Sequence, residues 1–201
     1  HRKVGYAYLR DHLNTGAFEP ERPARVYPVQ KFVAMPQCLQ VPEASAPGPD
    51  AAPLEHLLFA LKHEYLDLQA ALLALKKIEA APLVAQFSAA PSSRFLQQAC
   101  FLWEIANEPA LEAPLAKGPT QPLFNPALFL NGPSNKHTRW RVDFNGLGSP
   151  AYCPTVRRTP AIEALLDEDI LGQTRNFIES IDPQMVQRAV RWAYLSETES
   201  S

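Results

Sequence analysis

Hydrophobic and polar positions divide the chain into helical blocks separated by stiff connections. From Val4 to Leu13, Tyr6, Leu9 and Leu13 recur at helical spacing, and Asn14-Thr15-Gly16 closes the block. Between residues 25 and 41 the pattern changes to Val26, Tyr27, Val29, Phe32, Val33, Leu39 and Val41, interrupted by Pro28 and Pro36. These β-formers with nearby prolines predict a small β-element or hairpin built of short or edge strands. An apolar face then runs through Leu54, Leu57, Leu58 and Leu61 and on through Leu66, Leu68, Leu72, Leu73 and Leu75, broken near 62–67, which predicts two helices. A third is expected over 82–89. A fourth starts at the cap candidates Ser92 or Ser93 and runs to about Asn107, burying Phe95, Leu96, Cys100, Leu102 and Trp103.

Six prolines from Glu108 to Pro133 preclude a long helix there, and Phe124, Leu128, Phe129 and Leu130 are expected to pin that loop to the core. Across 138–144, Arg139 and Arg141 alternate with Trp140, Val142 and Phe144, the period of a half-buried strand. The last third returns to helices, opened at Thr159-Pro160, around Ile170, and at Asp182-Pro183. The fold class expected is mainly α, a helical bundle with a small β-element (short strands near 25–41 and 138–144) and proline-rich connections. Three parts follow from this pattern. Residues 1–52 hold the β-element and a proline-rich linker, 53–133 the bundle and its loop, and 134–201 a strand, a loop and further helices.

Composition narrows the function classes. The 201 residues carry 19 basic and 21 acidic side chains, so no long-range field recruits polyanions and membrane contact is not expected. Cys38, Cys100 and Cys153 form no paired framework, which with the missing signal-peptide pattern suggests the cytoplasm. The chain opens on His1 and stops at Ser200-Ser201 inside a helical pattern, so a piece of a larger protein is expected.

Candidate chemistry is sparse. His63-Glu64-Tyr65-Leu66-Asp67 has Asp67 where a zinc-protease signature needs its second histidine, and His56 lies two turns away, so both histidines read as surface or capping residues. Cys153 with Arg157 and Arg158 lacks the spacing and glycines of a phosphate-cradling thiolate loop, and Asn145-Gly146-Leu147-Gly148 is a turn rather than a phosphate loop. Lys136, Arg139, Arg141, Arg157 and Arg158, interleaved with Trp140 and Tyr152, could grip an acidic partner or track a phosphate backbone. With no wider basic stripe, contact to another domain is favoured over nucleic acid.

Several segments, in order along the chain, resemble the N-terminal half of bacterial Fic-family proteins. They are Leu54-Glu55-His56-Leu57-Leu58-Phe59-Ala60-Leu61-Lys62-His63-Glu64, Phe101-Leu102-Trp103-Glu104, Arg139-Trp140-Arg141-Val142, Cys153-Pro154-Thr155-Val156-Arg157-Arg158-Thr159-Pro160, and Tyr194-Leu195-Ser196-Glu197 through Ser201. Catalytic members transfer AMP from ATP to a protein hydroxyl through a core of pattern His-Pro-Phe-x-Asp/Glu-Gly-Asn-Gly-Arg, whose acid holds magnesium. The chain has no His-Pro pair and no Gly-Asn-Gly. The resemblance therefore implies a non-catalytic regulatory or target-recognition region with no cofactor of its own, ATP and magnesium belonging to a core in the parent protein. Its partners would be that Fic core and a protein target. Arg139, Arg141, Arg157 and Arg158 are the candidate contacts, and Ser200 and Ser201 would open the inhibitory segment preceding the core. A stand-alone interaction module or antitoxin-like partner is the alternative reading, and a nucleic-acid-binding module a further one.

Overall fold

Prolines set many of the element boundaries. The structure, a computed structural model, describes residues 1–199. Pro53, Pro160 and Pro183 each occupy the first turn of a helix, where the missing N–H costs nothing and the fixed φ is already helical. The helices are α1 (Gly5–His12), α2 (Pro53–His63), α3 (Leu68–Leu75), α4 (Ala80–Ala89), α5 (Arg94–Asn107), α6 (Pro160–Asp167), α7 (Ile170–Ser180) and α8 (Pro183–Glu199). Two small sheets accompany them: β1 (Ala24–Tyr27), β2 (Val33–Met35) and β3 (Cys38–Pro42), then β4 (Gln121–Pro122), β5 (Asn135–His137) and β6 (Val142–Phe144). The chain is thus mostly α with small β-elements.

Two compact units emerge, His1–Val156 and the remainder from Arg157 onward. The divisions expected from sequence, at 52/53 and 133/134, both fall inside the first unit. Its centre is α5, which buries Leu96 through Trp103 and packs against α2, α3, α4 and β6. Helix α1 lies on α2 and α3. In the first sheet β3 is central, parallel to β1 and antiparallel to β2.

Buried polar side chains tie the irregular segments to this core, as backbone groups removed from water must find partners. Gln97 donates from Nε2 to the carbonyls of Pro91 and Lys117 at 2.9 and 2.8 Å, fixing the proline-rich stretch to α5. Trp103 Nε1 donates to the Ile78 carbonyl at 2.9 Å, and Asn145 pairs through its amide with both backbone groups of Phe124 at 2.9 Å. Phe124 and Phe129 are buried as expected, while Leu128 stays on the surface.

The strand expected over 138–144 is shorter in the structure. Only Val142–Phe144 forms β6, antiparallel to β5, with Val142 and Phe144 facing the core. Residues 138–141 make the turn between them, and Arg141 takes a left-handed φ of 53°. The apparent alternation therefore mixed a turn with a strand, and Trp140 is buried because the turn folds inward rather than because of strand pleating. In the second unit no residue of α6 or α7 is buried.

Candidate functional site

The candidate arginines have separate roles. Arg139 donates to the Leu111 carbonyl, stacks over Trp140 with its guanidinium carbon 4.9 Å from the ring centroid, and lies 3.5 Å from Glu104 Oε1. Trp140 Nε1 in turn donates to Glu104 Oε2 at 2.6 Å, and Glu104 Oε1 accepts the Leu111 N–H at 2.8 Å. Arg139 and Glu104 thus clamp the segment after α5 onto the core, a structural task rather than an open grip. Arg141 is exposed on the turn. Arg157 and Arg158 open the second unit, where Arg158 pairs with Glu163 at 2.7 Å on the first turn of α6. The four arginines do not share one element, so the interleaved basic strand drawn from the sequence is replaced by a clamp, a turn and a helix start. Ser200 and Ser201 lie outside the described residues.

A polar junction between α1 and α2 was hidden in the sequence. The first amides of α1 have no intrahelical partner, and Val4 before them offers no capping side chain. Helix α2 supplies the caps instead: His56 Nδ1 accepts the Gly5 N–H at 3.3 Å and Glu64 Oε1 accepts the Tyr6 N–H at 3.1 Å. Gly5 sits at φ 59°, and a Cβ there would run into the Glu64 carboxyl, so glycine is required on both counts. His56 is buried and stacks on Tyr8 with ring centroids 3.6 Å apart, which corrects the surface reading of this histidine and leaves the capping one.

Burial dominates the acid–base behaviour of the junction. It holds His56 down to about 4, assisted by the positive charge of Arg2 and His12, so the ring accepts as a neutral imidazole with its proton on Nε2. It pushes Glu64 up to about 8; the Tyr6 N–H opposes this and Asp67 adds to it. His63 is also lowered, first by burial and then by Lys62, and its ring stacks on Phe32 at 4.6 Å. Arg22, His63, Glu64 and Tyr65 border a cavity of about 170 Å³ beside the junction, with Arg22 over the Tyr65 ring at 5.5 Å. A hint was available in the sequence. Glu64 follows α2 directly at its C-terminal end, where the dipole disfavours a carboxylate.

The other distinctive surface is the second unit. Leu171 is 82% exposed, Trp192 73% and Phe177 65%, accompanied by exposed Leu165, Leu166, Ile170 and Met185. In α6, Ile162, Leu165 and Leu166 follow helical spacing, and in α7 Ile170, Leu171, Phe177 and Ile178 form one stripe. Thr159 Oγ1 accepts the Ile162 N–H at 3.2 Å and Asp169 Oδ1 the Gly172 N–H at 3.2 Å, so α6 and α7 have capped N-termini even though their apolar stripes are uncovered. Apolar helical stripes left open to solvent in this way are characteristic of binding faces.

Among the described residues no group of three or more His, Cys, Asp or Glu is placed to hold a metal ion, and no helix is long and apolar enough to cross a membrane. Compared with protein-family models, curated proteins and solved structures, the chain matches none.

Proposed function

We propose that the chain is a non-catalytic regulatory or target-recognition region that docks, through α6–α8, onto a further domain of a larger protein. The observation that carries this reading is the apolar exposure of Leu171, Phe177 and Trp192 on helices whose lengths and caps are those of packed elements. Covering each such side chain would contribute roughly 1.5–3 kcal/mol, enough in combination to hold a domain interface.

The identity of the docking domain rests on the resemblance to Fic-family proteins. In that reading the occupant is the Fic core of the same parent, which would use ATP and magnesium to place AMP on a protein hydroxyl in the cytoplasm. Residues 53–107 would act as a helical bundle bearing on the core, with Arg157 and Arg158 at the interdomain seam. Arg139 serves the internal clamp, which leaves Arg141 as the first-unit arginine exposed to a target.

Hydrogen exchange tests the docking. In the parent protein the amides of α6–α8 are expected to exchange at least tenfold more slowly than in this chain alone, and Leu171→Ser with Trp192→Ser should abolish the difference. Equal exchange in both forms refutes docking. A parent sequence without a His-Pro-Phe-x-Asp/Glu-Gly-Asn-Gly-Arg core refutes the Fic assignment, and protection supplied only by a separate chain would make this a stand-alone interaction module.

A further inference from the structure

Glu64 also borders a second cavity, of about 160 Å³, lined by residues of α2, α5 and the loop at 123–129. Its polar lining includes Lys62, Arg94, Gln98 and Asn125 beside Glu64, and the rest of the wall is largely leucine and aromatic, including Leu66 and Phe129. Two features set it apart from an ordinary surface dimple.

The first is the state of Arg94. Its guanidinium makes one long hydrogen bond, from Nη2 to the Pro122 carbonyl at 3.4 Å, and rests near the Phe95 ring, while its buried Nε has no partner. Elsewhere in this unit Arg2 and Arg10 each face a carboxylate, Glu43 at 2.8 Å and Glu19 at 3.5 Å. Neither Arg94 nor Lys62 forms an ion pair among the described residues. A guanidinium drawn partly out of water without an anion is unfavourable, and the cost is offset only when a carboxylate or phosphate arrives.

The second is the character of the acid on the wall. Glu64 already accepts the Tyr6 N–H through Oε1, and burial holds its carboxyl protonated at neutral pH, so it neither neutralises Arg94 nor repels an incoming anion. Donors therefore outnumber acceptors around an apolar chamber. A cavity of this size accommodates one six-membered ring, since one of about 150 Å³ holds benzene.

We propose that this cavity binds a small organic carboxylate on a compact apolar body of about the size of benzoate, with Arg94 and Lys62 gripping the anion. Gln98 and Asn125 supply further hydrogen bonds from the lining, and the leucine and phenylalanine wall covers the ring. The apolar wall selects a carboxylate with a hydrophobic body over a bare phosphate, which would leave that wall wet.

The test uses the full chain and sodium benzoate at pH 6.5, followed by backbone amide chemical shifts. Saturable shifts are expected in α2, α5 and residues 123–129, with benzyl alcohol and inorganic phosphate each binding at least tenfold more weakly. Arg94→Gln should weaken benzoate at least tenfold. Should that variant unfold, Lys62→Gln, on the exposed rim, is expected to lose several-fold affinity with an unchanged melting curve. Benzyl alcohol equalling benzoate, phosphate equalling benzoate, or unchanged benzoate affinity in a folded Arg94→Gln or Lys62→Gln variant would each overturn the assignment.

Discussion

Replacing Glu64 by glutamine probes the α1–α2 junction through the pH dependence of folding. In the unfolded chain Glu64 ionises at its ordinary 4.5, whereas in the folded chain it stays protonated until about 8. The folded state therefore binds more protons over that interval, and stability contributed below pH 4.5 is lost progressively as pH rises to about 8. His56 has the opposite sign. Its folded value of about 4 lies below the ordinary 6.5, so its contribution is complete above 6.5 and is lost as pH falls toward 4. Each group changes stability by about 1.4 kcal/mol per pH unit within its own interval. From pH 4.5 to 6.5 the two slopes cancel, and His63, lowered in the same direction as His56, tilts the balance toward higher pH. Above 6.5 only Glu64 remains, so about 2 kcal/mol is lost by pH 8. Urea unfolding at pH 5.5, 6.5 and 8 should show a maximum near 6.5 and that fall. In Glu64→Gln the amide oxygen still accepts the Tyr6 N–H, and the loss between 6.5 and 8 should vanish. An undiminished stability at pH 8 in the parent chain, or the same decline in the variant, would refute the buried protonated carboxyl.

Three further expectations concern packing and polar contacts in the first unit. Phe87, fully buried edge-on to Trp140, should cost about 3–5 kcal/mol as Phe87→Ala in urea unfolding, because the void cannot close around the rigid indole. Glu104→Ala strands Trp140 Nε1 and the Leu111 N–H together, and a loss of about 2–3 kcal/mol with a shifted tryptophan emission is expected. A Cβ at Gly146 would strike Cys153 Sγ and approach Phe144 Cζ at 3.0 Å. Gly146→Ala should therefore destabilise by about 1–3 kcal/mol. Adding Cys153→Gly should recover only part of that, the residual reporting the aromatic contacts; full additivity of the two changes in a double-mutant cycle would count against the contact.

Local chemistry was legible where a single segment decides its own structure. Helices α2 to α5 follow from the recurring leucines and from Pro53, and α6 to α8 from Thr159-Pro160, the apolar spacing around Ile170 and Asp182-Pro183, because caps and periodicity act within one or two turns. The β-formers between 25 and 41 marked real strands, but the parallel pairing of β1 with β3 depends on a chain reversal that no local pattern encodes. At 138–144 period two misled, since Arg139 and Trp140 are held in a turn by Leu111 and Glu104, 28 and 36 residues away in sequence. The caps on α1 come from His56 and Glu64, more than fifty positions downstream, and the anomalous proton affinity of Glu64 exists only once the fold buries its carboxyl near Asp67, against the opposing hydrogen bond from the Tyr6 N–H. What the sequence alone determined was where helices start and stop and which stripes are apolar; which stripes found cover, which charges became clamps, and which carboxyl lost its water were decided by tertiary contact, because desolvation is a property of neighbours rather than of the residue itself.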